Sequence, residues 1–455
     1  MMRGRVRRPG NYCGKDGLEM YIRRFIAAFM MTLAASAAAS AADDALLESL
    51  LSAAERNNPQ ISAAAERTAA AEARLAGAAA QMGPKAAAAM GALWSGGDFE
   101  KEVGVMGTAL SVPVLESHTY AAAVMLTQTI YSGGSLQARK EAARLAKDAS
   151  EARGARTKQG VDNAVRRAYY AVRAAQAKEL VAEEAASLAK EHRAQAEKLF
   201  NAGVVAKSDV LRSNVAVASS ELDVIRARNA TAVAMTALRR AVGADLPEEI
   251  EKKEPLSSIL SREGRPYGAD TSADVAAAYE SREELKAYSL LSRQAEKLAR
   301  AAKGRLLPQI LGAVGYAAAG DSFFPDDYSE PVAALGVYWN FYDGGAAKAK
   351  TDEAKANARE LLFLLDDMKN VIRMEVAQAE SSLSSAGSRL EVARRQLAES
   401  REDYRIAQRR YAESVGTNLD ALDARLALAN SMSEVVTAFY DIKSAEADLI
   451  YAMGR

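Results

Sequence analysis

The sequence predicts a mixed α and β membrane protein, a β-barrel continuous with a long α-helical coiled coil. Three observations predict it: an internal duplication at fixed spacing, heptads sustained over runs far longer than a globular helix, and an alternating strand at the same place in each copy.

The duplication comes first because it orders everything else. Tyr131-Ser132-Gly133-Gly134 recurs 211 residues later as Tyr342-Asp343-Gly344-Gly345. Asp209-Val210-Leu211 recurs as Asp420-Ala421-Leu422, and Gly243 matches Gly454, at the same offset. Two rods in one bundle need such length preservation, because one extra residue rotates the rest of a helix by about 100°. The leading part of each copy aligns at an offset of 224: Asn57-Asn58-Pro59-Gln60-Ile61 with Ser281-Arg282-Glu283-Glu284-Leu285, and Pro84 with Pro308. The 13-residue difference falls between the proline and Tyr-x-Gly-Gly, which is how a loop behaves.

Each copy opens with a helix, from about Asn58 to Met82 and from Ser281 to Leu306. Asn58 before Pro59 suits an N-cap and first helical position, and Pro84 and Pro308 close the two helices. Two strands around a loop follow, with Val112–Val114 and Pro325–Tyr328 expected in or near the loops. A long helix then begins after Gly134 and after Gly345. Ala138, Ala142, Leu145, Ala149 and Ala152 step by alternating fours and threes, as do Val161, Val165, Ala168, Val172 and Ala175. In the second copy the pattern runs from Val376 through Ala379, Leu383, Ala386, Leu390, Ala393, Leu397, Ser400 and Tyr404 to Tyr411. Ser135 to Phe200 as one helix would span roughly 100 Å. A return helix from about Ser208 to Val242 carries the same spacing at Leu211, Val215, Ala218, Leu222 and Ile225.

The segment before each Gly-Gly alternates. Ala122, Val124, Leu126, Gln128 and Ile130 share one face, matched by Ala333, Leu335, Val337, Trp339 and Phe341. Met125, Thr127, Thr129 and Tyr131 share the other, matched by Gly336, Tyr338, Asn340 and Tyr342. An apolar face opposite a small or polar one suits lipid outside and water inside. Four strands cannot close a barrel, and open edges are not tolerated in lipid. Closure therefore predicts an oligomer: three copies would supply twelve strands as a homotrimer, and a dimer or tetramer would also close the sheet.

Composition narrows the chemistry. Alanine richness with only 6% aromatic residues favours closely packed helices. Arg23 and Arg24, the apolar run Phe25 to Ala35, and Ala39-Ser40-Ala41 or Ser40-Ala41-Ala42 form an export signal over 1–41. Met20 then reads as the start, with 1–19 as upstream sequence. Without 1–41 the chain holds 52 basic and 57 acidic residues, a net of −5, with no concentrated basic face for nucleic acid. Cys13 is the only cysteine, so disulfides, thiolate metal sites and cysteine nucleophiles are not expected. His118 and His192 lack ligand spacing, no catalytic triad or phosphate loop is present, and neither enzyme activity nor a cofactor is expected.

The sequence from Ala45 to Gly454 resembles the TolC family of outer-membrane efflux proteins. The Asn57-Asn58-Pro59 opening, both Tyr-x-Gly-Gly turns and two further motifs carry the resemblance. Those two are Phe200-Asn201-Ala202-Gly203 running to Asp209-Val210-Leu211, and Tyr411 running through Gly416-Thr417-Asn418-Leu419-Asp420 to Leu422-Asp423. The resemblance implies a trimer with a 12-stranded barrel, four strands per chain, and a helical tunnel into the periplasm. It divides the chain into a first repeat over 42–243, an equatorial linker over 244–271 and a second repeat over 272–455. It implies an exit duct in the Gram-negative outer membrane, serving tripartite efflux or type I secretion with a periplasmic adaptor and an inner-membrane pump.

The turns at Gly203 and Gly416 each interrupt a heptad segment, as left-handed turns between antiparallel helices would. Ser414 stands where the first motif has Gly203. By resemblance, Phe200, Gly203, Asp209, Leu211, Tyr411, Gly416 and Leu422 form a tip for adaptor docking, and Asp420 with Asp423 an acidic constriction. Asp420 and Asp423, three apart, share one helix face; outward-facing, they would instead pair with Arg425 or Arg212. Some members place a gate-locking arginine at the position of Gly416, and Lys207, Arg212 and Arg425 are the candidates to replace it here. The competing reading, a periplasmic coiled coil without a barrel, leaves the matched alternating strands unexplained.

Overall fold

The computed structural model describes residues 43–94, 99–105, 108–115, 118–262, 271–325 and 328–455; the expected export signal over 1–41 lies outside them. The first helix, α1, covers 43–57. Then follow α2 (Pro59–Ala80), β1 (Lys85–Trp94), β2 (Phe99–Val105), β3 (Thr108–Leu115), β4 (His118–Tyr131), α3 (Ser135–Asn201) and α4 (Lys207–Val242). A 3-10 turn at Glu248–Glu251 and α5 (Leu256–Ser261) precede the second copy: α6 (Thr271–Ser281), α7 (Glu283–Gly304), β5 (Gln309–Gly320), β6 (Tyr328–Tyr338), α8 (Ala346–Ala412) and α9 (Asn418–Ala452). Both long helices, α3 and α8, have 67 residues, as the fixed offset requires. No helix among the described residues is long and apolar enough to cross a membrane.

The chain forms two compact units, and each draws on both sequence copies. One comprises 60–159, 271–377 and 452–455. It holds an antiparallel sheet in the order β1-β4-β5-β6, with β4 and β5 in register from Tyr120↔Gly320 to Gln128↔Gly312. The predicted apolar face is exposed: Val124, Leu126, Ile130 and Val337 all lie open, and Leu335 is 72% exposed. Two strand expectations are corrected. Val112–Val114 lie within β3, which pairs with β2 in a separate hairpin, so the extra length of the first copy is spent on strand pairing. The second strand begins at Tyr328, inside the expected loop, and ends at Tyr338, four residues before Tyr342. In the same unit Thr68 of α2 meets Ser150 of α3 at 3.3 Å, while Glu141 and Arg156 of α3 pair with Lys297 and Glu284 of α7. The first heptad seam, Ala138 to Ala152, is buried throughout.

The other unit comprises the described parts of 1–59, 160–270 and 378–451. Its α8 seam is buried at Ala379, Leu383, Ala386, Leu390, Ala393, Leu397, Tyr404 and Tyr411. The α3 seam slips by one residue: Tyr169 is buried where Ala168 was expected, and Gln176 where Ala175 was. Polar anchoring causes the slip. The Tyr169 hydroxyl and Arg173 both reach Asp43 of α1, Arg173 also donates to the Lys252 carbonyl at 2.9 Å, and Gln176 donates to that of Ile250 at 2.7 Å. The α4 heptad is also corrected. Leu211, Val215, Leu222 and Ile225 are exposed, Val215 at 69%, while Ser213, Val217 and Ser220 face the chain's own core. The apolar stripe of α4 therefore has no partner among the described residues.

The duplication reaches the helix caps. Gly243 ends α4 at φ +77°, and a Cβ there would stand 2.8 Å from the Asn57 carbonyl and 3.0 Å from the Asn58 Cα. The Asn58 side chain donates to the Ala241 carbonyl at 2.6 Å, fixing the α1–α2 break against this cap. Gly454, at φ +79°, meets the α6–α7 break in the same way, its Cβ position 2.9 Å from Ser281. These are the positions aligned at offsets 211 and 224, so backbone contact accounts for both glycines.

Candidate functional site: the paired helix tips

The second unit contains both helix turns at which the site residues cluster. The first turn ends α3. Gly203 is left-handed at φ +74°, its N–H donates to Phe200 (2.8 Å), and the Val204 N–H donates to Leu199 (2.9 Å). These two bonds form a Schellman closure. The second turn closes α8 identically, through Ser414 N–H to Tyr411 (3.0 Å) and Val415 N–H to Arg410 (2.9 Å). Here the left-handed residue is Ser414, at φ +62°, and not Gly416. That corrects the sequence expectation. Gly416 is instead required by packing: a Cβ would lie 2.9 Å from the Arg410 Cβ and 3.2 Å from its carbonyl carbon.

The return helices start differently. Ala206 caps α4 with no side-chain bond. At α9 the Thr417 hydroxyl accepts from the Asp420 N–H (3.1 Å), and the Asp420 carboxylate accepts from the Thr417 N–H (3.3 Å). This is a reciprocal capping box. Asp420 thus has a local role in addition to any axial one.

Tyr411 is 2% exposed, in a cluster with Ala196 and Ala421 against Leu199, Val205 and Val210. Its counterpart Phe200 is 40% exposed, and Leu211 and Val204 beside it are also open. Next to Tyr411 lies a buried polar network that the sequence did not disclose. The His192 ring, 4.9 Å from that of Tyr411, shares a hydrogen bond of 2.7 Å with the Asn418 side-chain oxygen. The Asn418 amide donates to the Asp209 carbonyl at 3.2 Å, and Ser213 donates to the same carbonyl at 2.9 Å. Burial holds the His192 pKa below its ordinary value, and nearby Arg425 adds to the depression. Arg425 is itself buried, donating to the Ala185 carbonyl and to Ser220, both at 3.1 Å. It therefore cannot be the outward partner of Asp420 or Asp423. The signal for Thr417 and Asp420 was present as Thr-x-x-Asp, a capping spacing. Nothing in periodicity marks His192 or Asn418.

Asp420 and Asp423 are exposed, and neither forms an ion pair among the described residues. They line one pocket of about 470 Å³ together with Asp403 and Arg410. Arg410 lines the same pocket as the two carboxylates, and its stem packs on Gly416. Leu422 is half-buried one residue before Asp423.

Comparison with known proteins gives this geometry a family. Residues 50–244 and 275–455 match the family described as outer membrane efflux protein. No curated protein matches by sequence. Among solved structures, CusC is similar with a TM-score of 0.75 at 19% identity, covering 90% of this chain and 92% of that one. The outer membrane protein VceC of Vibrio cholerae gives 0.73 at 18%, covering 90% and 96%. The CmeC outer membrane channel of Campylobacter jejuni gives 0.73 at 17%, covering 90% and 85%. The chain belongs to the outer membrane efflux protein family and is an exit duct of the Gram-negative outer membrane.

Proposed function

We propose that three copies of this chain close a 12-stranded barrel, and that the helix tips form the periplasmic mouth of the resulting duct. One observation carries this reading: a four-stranded sheet with an exposed apolar face whose outer strands, β1 and β6, each have one partner among the described residues. Open edges are excluded from lipid, so the sheet must be completed by other copies. Aromatic residues at both ends of the sheet support the membrane placement. Tyr120, Phe323 and Phe324 lie at one end, and Tyr131, Trp339, Phe341 and Tyr342 at the other. The unpartnered α4 stripe supplies an apolar surface for a neighbouring copy.

At the mouth, Asp420 and Asp423 become rings of carboxylates about the threefold axis, and Arg410 supplies the neighbouring guanidinium that position 416 lacks. Like charges 4 Å apart repel by roughly 4 kcal/mol at an effective dielectric of 20, a cost relieved by cations or by Arg410. Phe200, Gly203, Asp209, Leu211, Tyr411, Gly416 and Leu422 form the tip on which a periplasmic adaptor docks. An inner-membrane pump supplies the energy, and the duct conducts passively in tripartite efflux or type I secretion. Native mass spectrometry of detergent-extracted outer membranes tests the assembly: a trimer is expected, and a stable monomer would exclude a closed barrel.

A further inference from the structure

Within the sheet-bearing unit, α3 contacts both α2 and α7, through Thr68–Ser150 on one hand and the Glu141–Lys297 and Arg156–Glu284 pairs on the other. A groove of about 840 Å³ is lined by residues of all three helices, half of them from α3. Four guanidinium groups line it: Arg67 and Arg74 from α2, Arg139 and Arg153 from α3. No carboxylate lines it, and none of the four arginines forms an ion pair among the described residues. Much of the remaining lining is alanine with Gly154, so the walls are low and the arginines are its dominant chemical feature.

We infer that this groove is an anion-selecting stretch of the duct wall, and that the cargo carries more than one anionic group. The inference rests on the duct reading above. The groove occupies the hollow shared by α2, α3 and α7, and in this reading that hollow faces the axis of the tube. Arg67 and Arg74 lie seven positions apart, on one face of α2. Arginine holds carboxylate, sulfonate and phosphate groups through charge-assisted, often bidentate hydrogen bonds. A cleft lined by one sign of charge concentrates the opposite ion. The basic groove is the more telling in a chain that is acidic overall once 1–41 are set aside.

The test uses the full-length protein and sodium tripolyphosphate as the probe. In planar bilayers, tripolyphosphate should reduce wild-type conductance, and the R67Q/R74Q/R139Q/R153Q variant should need at least about tenfold more probe for the same block. The R67Q/R74Q variant, changed only at exposed α2 positions, should show a smaller shift in the same direction and guards against misfolding of the fourfold variant. Replacing all four by lysine should restore most of the sensitivity. Calorimetry on the detergent-purified protein reads binding independently of conduction. Conductance with equal tripolyphosphate sensitivity in wild type and both glutamine variants overturns the inference and leaves the duct intact. Binding that is lost in the variants, with no conductance from any of them, supports the groove and overturns the duct.

Discussion

The two helix tips have the same length and the same Schellman closure, yet they are built from different materials. At the first, glycine takes the left-handed position without strain, alanine caps the return helix, and Phe200 and Leu211 lie open. At the second, Ser414 takes that position, Thr417 and Asp420 form a capping box, and Tyr411 is buried beside His192 and Asn418. Their counterparts 211 residues away are Lys207 for Asn418 and Asp403 for His192, so the polar network has no equivalent in the other copy. Duplication preserved the backbone path, because a rod bundle tolerates no change of length, and left the side chains free to diverge. The second turn accepts local backbone strain and offsets it with buried hydrogen bonds; the first leaves apolar surface exposed.

Substitutions at equivalent positions sharpen that contrast. The largest effect is expected from Asn418→Leu, which leaves the buried His192 ring without the Asn418 oxygen and removes one of two side-chain donors to the Asp209 carbonyl. A loss of about 3 kcal/mol at the second tip is expected, read as roughly hundredfold faster amide hydrogen exchange there. Lys207→Leu should leave exchange near the wild-type rate. Gly416→Ala comes next, at about 2 kcal/mol, because its Cβ meets Arg410 while the equivalent Val205 already carries a branched side chain. Exchanging the left-handed residues gives opposite signs: Gly203→Ser should cost about 1 kcal/mol, and Ser414→Gly should stabilise by somewhat less, since glycine also loses more chain entropy on folding.

The smallest effect is that of pH. His192 has a lowered pKa in the folded protein, so the unfolded chain binds more protons as pH falls below about 6.5. Tip stability is therefore full above that value and declines on acidification. The facing groups are Tyr411 of α8, Asn418 and Arg425 of α9, and Asp209 of α4. Once corrected for the pH dependence of intrinsic exchange, amide protection at the tip should fall from about pH 7.5 to about pH 5, and His192→Gln should flatten the response.

Much of this fold was legible in the sequence because apolar periodicity and caps report directly on burial. The α8 heptads are buried nearly as spaced, and Gly243 and Gly454 sit on the aligned helix breaks. What escaped was decided by polar or external contacts. The α3 seam slipped where Tyr169 and Arg173 reach Asp43. The α4 heptad has the spacing of a seam, but spacing does not say whether the partner lies in the same chain. Gly416 drew the left-handed assignment because glycine is its usual signal, whereas serine at 414 gives none. The β2–β3 hairpin was missed because Phe99–Val105 mixes two glutamates and a lysine with apolar residues, hiding its alternation.

Convergence of three second tips on one axis can be tested directly by cross-linking. Cys13 is the only cysteine, and it lies in the predicted export signal, so Asp423→Cys would introduce a single thiol into the exported chain. Mild oxidation, or a short bismaleimide, applied to the detergent-solubilised protein should give a covalent dimer band on a denaturing gel and lower the conductance in planar bilayers, both reversed by reductant in the oxidised case. Monomer alone, from a preparation that native mass spectrometry shows to be trimeric, would contradict an acidic mouth built from Asp420 and Asp423.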